Sequence, residues 1–269
     1  MNQSERRVLL LRTLLKEQPR YRQMGVPANA EEQRLMLRGL MNMRAPQQVS
    51  RDFLQVQNDY LQNAIAAKGI TDIHSLTPLQ PGLYLWQGDI TTLRCDAIVN
   101  AANSGMTGCY VPNHRCIDNA IHTYAGVQLR LACARLMQQQ GHPEPTGQAK
   151  ITPAFNLPCR YVLHTVGPII QGPVTRRDQD LLASCYRSCL QLAEENGLES
   201  VAFCCISTGE FHFPNDLAAK IAVQTVQEFL SSSTSVKKVI FNVFKDYDKH
   251  IYERLLGADQ AAENSIAGM

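Results

Sequence analysis

Apolar residues in the first part of the chain recur at spacings of three, four or seven: Val8, Leu11 and Leu15; Met36, Leu40 and Met43; Leu54, Leu61 and Ile65. Such spacing places each set on one stripe of a helix, so three amphipathic helices are predicted before residue 75. Pro27 and Asn29 separate the first from the second, and Pro46 precedes the third. Nothing in this stretch resembles a catalytic constellation. Residues 1–75 are therefore expected to form a helical extension packed as a cap on a main domain over 76–269.

From Pro81 the pattern changes. Short apolar runs (LYLWQ, DAIVN, YVLHTV, VAFCCI and VIFNVF) alternate with helix-length amphipathic segments near 118–139, 178–196 and 215–231. This alternation predicts an α/β fold, a parallel or mixed central sheet covered by helices. In the segment 178–196, Leu182, Cys185, Cys189 and Leu192 share one stripe, and Asn196 and Gly197 supply a stop. Ligands of such sheets bind beyond the carboxyl ends of the strands, so function is sought in the residues just after each run.

Composition narrows the classes. Hydrophobic residues make up 45% of the 269, and no Gly/Ser/Pro tract interrupts them, which predicts a buried core. A net charge of +2 argues against a nucleic-acid or anionic-membrane surface working by counterion release. The opening apolar run is followed by Arg12 and Lys16 with no small-residue cleavage site, so no signal peptide is read. No apolar run approaches the roughly 18 residues that a membrane span requires. Nine cysteines, most in apolar surroundings, fit reduced thiols and a cytoplasmic setting. Cysteines with ligand-like spacing are then better read as a metal site than as a disulfide.

Four post-strand segments carry candidate chemistry. In Gln87-Gly88-Asp89-Ile90-Thr91, Gly88 permits close backbone approach and Asp89 offers an acceptor for an exocyclic amine; a plain turn is the competing reading. Asn100 and Asn103 flank two alanines and suit ribose hydroxyls, or else satisfy their own turn. The small residues of Ile206-Ser207-Thr208-Gly209-Glu210-Phe211, leading to a helix near Asn215, predict a diphosphate cradle of backbone N–H groups. No Walker lysine or GxGxxG spacing is present, so neither ATP hydrolysis nor a Rossmann dinucleotide site is supported. Phe244, two residues past Asn242, is either an adenine-stacking ring or a core residue.

Cys109, His114 and Cys116 stand in a C-x4-H-x-C spacing within one short loop. Two thiolates and an imidazole suit Zn²⁺, and three ligands leave one coordination position free, the mark of a catalytic ion. The alternative is a closed structural zinc with His122 or Cys133 as fourth ligand. Otherwise His122 is read as a helix residue packing behind the loop. Cys95, Cys133 and Cys159 read as structural thiols, and His164 as a satisfied core histidine.

GDIT after the first strand, VNAAN in the second, the IDNAIHTYAG segment, the STGEFHFP loop and the last VIFNVF strand, taken together in this order, resemble a macrodomain, the ADP-ribose-binding fold, over about residues 75–260. The resemblance implies a three-layer fold with a central mixed sheet. It implies that Asp89 and Ile90 read adenine and that Ser207, Thr208, Gly209, Glu210 and Phe211 wrap the diphosphate. Phe244 would lie along the adenine, and Asn103 would reach the distal ribose. The Cys109–Cys116 loop and the added N-terminal helices are similar to those of the zinc-dependent subgroup, whose members remove ADP-ribose from mono-ADP-ribosylated proteins. The metal would then face the distal ribose, and Asp118, matching the aspartate of the IDxAIH segment, would be the general base or ribose-orienting carboxylate; a helix cap is its bland alternative. Glu210 is unusual among phosphate-binding residues, because an acid there repels phosphate unless it points away. The implied partners are ADP-ribose and a mono-ADP-ribosylated protein, in this family a lipoyl carrier of the glycine-cleavage type. Two rivals stand beside this hydrolase: a reader module that binds without cleaving, and a hydrolase of a small ADP-ribose derivative.

Overall fold

The computed structural model describes residues 1–266, with side chains described through 257. Its first three helices are α1 (Gln3–Glu17), α2 (Ala30–Met43) and α3 (Arg51–Lys68). Each opens on a side-chain cap: Asn2 accepts from the Glu5 amide, Asn29 from those of Glu31 and Glu32, and Ser50 from that of Phe53. Their inward stripes, including Leu11, Leu14, Leu37, Phe53 and Leu61, form one buried cluster. Burying a leucine such as Leu11 contributes roughly 2 kcal/mol each time.

Two side chains cross between this cluster and the rest. Val127 from α5 (Val127–Gln140) packs among the N-terminal helices, whereas Ile65 of α3 belongs to the larger core around the sheet.

The short β1 (Thr71–Asp72) and β3 (Leu93–Arg94) pair in parallel beside the main sheet. The main sheet contains β2 (Leu83–Gln87), β4 (Ala97–Ala101), β5 (Ala149–Pro153), β6 (Tyr161–Thr165), β7 (Ser200–Phe203) and β8 (Lys238–Val243). Its order is β2-β8-β7-β4-β6-β5, parallel throughout except that β5 runs antiparallel to β6. The sheet is thus mixed, as predicted. Its inner strands read as mostly apolar runs because helices flank them. Helix α4 (Ile117–Ala125) packs on β4 and α5 on β5, while α6 (Arg176–Glu195), α7 (Asn215–Leu230) and α8 (Asp246–Ile266) pack side by side in a second layer. No described helix is long and apolar enough to cross a membrane.

Several boundaries differ from the sequence reading. The helix predicted over 118–139 is two helices, broken at Gly126 with φ +95°. A Cβ there would stand 2.6 Å from Gln57 Nε2, and the same Gln57 accepts the Val127 amide through Oε1, starting α5 anew. The VAFCCI strand stops at Phe203, leaving Cys204 and Cys205 to the following loop. Asn100 lies within β4 rather than in the loop after it. Phe244 lies beyond β8 and is 77% exposed, so the core reading does not hold. The edge strand β5 and the C-terminal helix α8 were not predicted.

Candidate active site

Because β2, β4, β6, β7 and β8 run parallel, the segments after them gather at one end of the sheet. The loop after β7 is tightly wound, with Ser207 and His212 at positive φ. Phe213 donates its amide to the Ser207 carbonyl and His212 to that of Gly209. The amides of Gly209, Glu210 and Phe211 meet no acceptor among the described residues, which leaves three free donors in sequence ahead of α7. Ser207 Oγ is buried without a partner, and Gly167 after β6 makes room for it: a Cβ at 167 would fall 2.0 Å from that oxygen. The arrangement suits a bound anion with several acceptor oxygens.

At the β2 end, Asp89 is largely engaged. Its Oδ1 accepts from the Thr91 amide (3.0 Å) and hydroxyl (2.6 Å), and its Oδ2 pairs with Lys68 of α3 at 2.7 Å. Burial pushes its carboxyl up, but the Lys68 and Thr91 hydrogen bonds outweigh this and hold it below the usual range. Ile90 is buried beside it. Asn242 Nδ2 donates to the carbonyl of Gly88 (3.0 Å), and the Phe244 ring stands in solvent next to this turn. Lys68 belongs to the helical extension and was not singled out from the sequence.

At the β4 end, the three sequence-predicted ligands come together. One donor atom each from Cys109, His114 and Cys116 lies within 4.8 Å of the others, and Cys109 Sγ stands 3.7 Å from His114 Nδ1. Burial above all pushes the Cys116 thiol up to about 12, so the proton must leave when a cation binds. Two soft sulfurs and an imidazole at this separation fit a zinc ion in donor chemistry and number. His122 and Cys133 do not join this set; they lie in a separate buried group with His164. His164 is already committed, Nδ1 facing Asn100 Nδ2 at 3.2 Å and Nε2 facing Thr152 Oγ1 at 2.9 Å. Gly108 lies directly over the His122 ring, as the packing reading expected.

Asp118 lies in the first turn of α4, two residues after Cys116. It does not cap α4, since the cap is Cys116, whose Sγ accepts the Asn119 amide at 3.4 Å. The Asp118 carboxyl instead points inward, taking Asn100 Nδ2 at 2.8 Å on Oδ1 and Asn103 Nδ2 at 3.3 Å on Oδ2. Burial pushes it up to about 6, against the Asn100 hydrogen bond, the Arg130 charge and the Asn103 hydrogen bond. Asn103 also accepts the Gly105 amide on Oδ1 at 3.0 Å, so the turn reading describes part of what it does. Glu210 reaches across from the β7 loop, with Oε1 at 3.6 Å from His114 Nε2.

Residues 99–222 match the Macro domain family. A protein-ADP-ribose hydrolase of Treponema medium is 57% identical over 260 residues, covering 95% of this chain and 100% of that protein. The chain belongs to the macrodomain family. A protein-ADP-ribose hydrolase of Staphylococcus aureus is 50% identical over 236 residues, 87% of this chain and 88% of its own. Among solved macrodomains, that of Trypanosoma brucei in complex with ADP-ribose superposes with a TM-score of 0.64 at 31% identity, covering 81% of this chain and 95% of that one. A mutant Oceanobacillus iheyensis macrodomain with ADPR gives 0.62 at 35% identity, covering 70% and 98%.

Proposed function

We propose that this macrodomain is a zinc-dependent hydrolase that releases ADP-ribose from mono-ADP-ribosylated protein. The names of its relatives support a hydrolase acting on protein-bound ADP-ribose, and the observation that carries the metal is the convergence of Cys109, His114 and Cys116. In this reading the adenine lies against Asp89, Ile90 and Phe244, the diphosphate takes the amides of Ser207 to Phe211, and the distal ribose reaches Asn103. Water then adds across the bond between the anomeric carbon and the modified side chain, giving free ADP-ribose and the restored side chain.

A Zn²⁺ ion held by the two thiolates and the imidazole would supply Lewis-acid charge stabilisation at that end of the cleft. The chain's own part is orientation. Asn100 and Asn103 fix both oxygens of Asp118, so the carboxylate meets the ribose or the attacking water in one geometry. The Ser207–Phe211 loop binds the remote diphosphate, and that binding holds the reacting carbon in place.

The test is metal quantification of the purified protein joined to a hydrolysis assay with and without chelator. Substrates would be an ADP-ribosylated lipoyl-carrier protein, a second ADP-ribosylated protein and small ADP-ribose derivatives. About one zinc per chain, lost together with turnover in Cys116→Ala while the fold persists, is expected for a three-ligand site. Unchanged turnover without metal would remove zinc, and ADP-ribose binding without any turnover would make the protein a reader.

A further inference from the structure

We propose that α2 of the N-terminal helices is the wall that holds the Cys109–Cys116 loop in ligating geometry, with Arg38 and Asn42 as positioning residues. The proposal rests on the metal reading of that loop given above.

Between Ser104 and Cys116 the chain has neither helix nor strand to hold it, and both Met106 and Asn113 sit at positive φ. Such a backbone persists only where its surroundings over-determine it. Here the surroundings are α2. Arg38 donates from Nη2 to the His114 carbonyl (3.0 Å) and forks onto Asn119 Oδ1 through Nε (3.2 Å) and Nη2 (2.9 Å). Asn119 in turn gives its amide to Cys116 Sγ and its Nδ2 to the Val111 carbonyl at 3.0 Å. Asn42, buried one turn further along α2, accepts the Asn113 amide on Oδ1 (3.0 Å) and donates from Nδ2 to Thr123 of α4 (2.9 Å).

The far end of the loop is tied to the same helix through Arg130. Its Nη1 donates to the carbonyls of Met41, Asn42 and Arg44 at the end of α2, where unsatisfied carbonyls favour a cation. Its Nε and Nη2 reach the carbonyls of Thr107 (2.7 Å) and Cys109 (3.3 Å). Each ligand residue is therefore gripped within one side chain of α2: Cys109 through Arg130, His114 by Arg38, Cys116 through Asn119.

One face of α2 buries apolar side chains. Leu37, Leu40 and Met41 do that packing in the helical cluster, while Arg38 and Asn42 face the other way. Ordering a loop residue costs backbone entropy, so a loop already ordered binds a metal more tightly than one the metal must order.

Zinc affinity, measured by competition with a chromophoric chelator, separates this from a stabilising role. Arg38→Ala and Asn42→Ala are each expected to weaken zinc binding by at least about tenfold, the usual effect of removing an outer-shell partner. ADP-ribose affinity should stay unchanged, hydrogen exchange over 104–116 of the metal-free protein should quicken, and Arg34→Ala, on the exposed side of α2, should alter none of these. Arg38→Lys, which keeps a charge but loses the fork, should recover only part of the affinity. A folded Arg38→Ala protein that binds zinc as tightly as the parent overturns the proposal; should that variant not fold, Asn42→Ala and Arg38→Lys decide it in the same way. If the parent chain binds no zinc, the metal reading falls, and the wall is then judged by exchange alone: unchanged protection of 104–116 in the variants would overturn it too.

Discussion

Glu210 Oε1 lies 3.6 Å from His114 Nε2, so the acid of the loop after β7 is turned toward the Cys109–Cys116 loop. The position that looked unfavourable for phosphate is thereby partly explained: a carboxylate facing the outer nitrogen of the His114 imidazole restrains the ring. Glu210 is 72% exposed at its side chain, so the effect should be modest.

Glu210→Gln is expected to separate binding from turnover. Removing one negative charge near the diphosphate relieves roughly 1 kcal/mol of repulsion, and free ADP-ribose should bind up to about fivefold more tightly. Turnover should fall nonetheless, because His114 loses its charged partner. Calorimetry beside steady-state kinetics measures both; a rise in turnover would argue against any orienting part for Glu210.

Asp118 answers to a different pair of measurements. With both oxygens held by Asn100 and Asn103, Asp118→Ala should lower turnover by at least about 100-fold, the scale of a lost acid–base or orienting group. ADP-ribose affinity should change far less, since the adenine and diphosphate segments are untouched. Equal losses in rate and affinity would reduce Asp118 to a binding residue.

Gly167→Ala tests the diphosphate loop through sterics alone. The new methyl would arrive 2.0 Å from Ser207 Oγ, and Ser207 is already at positive φ. The expected outcome is a loss of ADP-ribose affinity of at least about tenfold, or ~1.4 kcal/mol. Zinc content should stay at the parent's level, because the ligand loop leaves a different strand.

A pH effect on stability is predicted at the opposite end of the sheet. Asp96 accepts the Glu199 amide (2.9 Å), the Ser200 amide and hydroxyl (3.0 Å each) and Arg160 (3.0 Å), joining the starts of β4, β6 and β7. Burial raises its carboxyl, but these donors prevail and hold it below its usual value. The stability it contributes is therefore complete above the unfolded value of about 3.9 and is lost as pH falls through the folded one. Asp96→Asn should cost about 2 kcal/mol in urea melts at pH 7. Its curve should converge with that of the parent protein in acid; a gap independent of pH would mean that the charge is not what matters.

What could be read from the chain depended on whether the cause was local. The inner strands β4, β6, β7 and β8 show themselves because burial on both faces favours mostly apolar runs. Edge strand β5, with Lys150 and a closing Pro153, lacks such a run and exists because β6 offers a free side. The break at Gly126 hides in a helical pattern because its reason, Gln57, is a tertiary contact from α3. Cys109, His114 and Cys116 were legible since their spacing within one loop is itself the constraint. Arg38, Asn42 and Lys68 were not: each reaches a loop of the site from α2 or α3, and the local hint is a polar residue beside a buried stripe such as Leu37–Leu40–Met41.

The exchange of Ile65 for Val127 between the two apolar clusters sets how the molecule comes apart. A layer that merely leaned on the sheet would melt first and leave the nucleotide cleft standing. Here pulling α1–α3 away would withdraw one side chain from the inner core and strip the cover from another, so denaturation should proceed as a single cooperative event rather than by peeling.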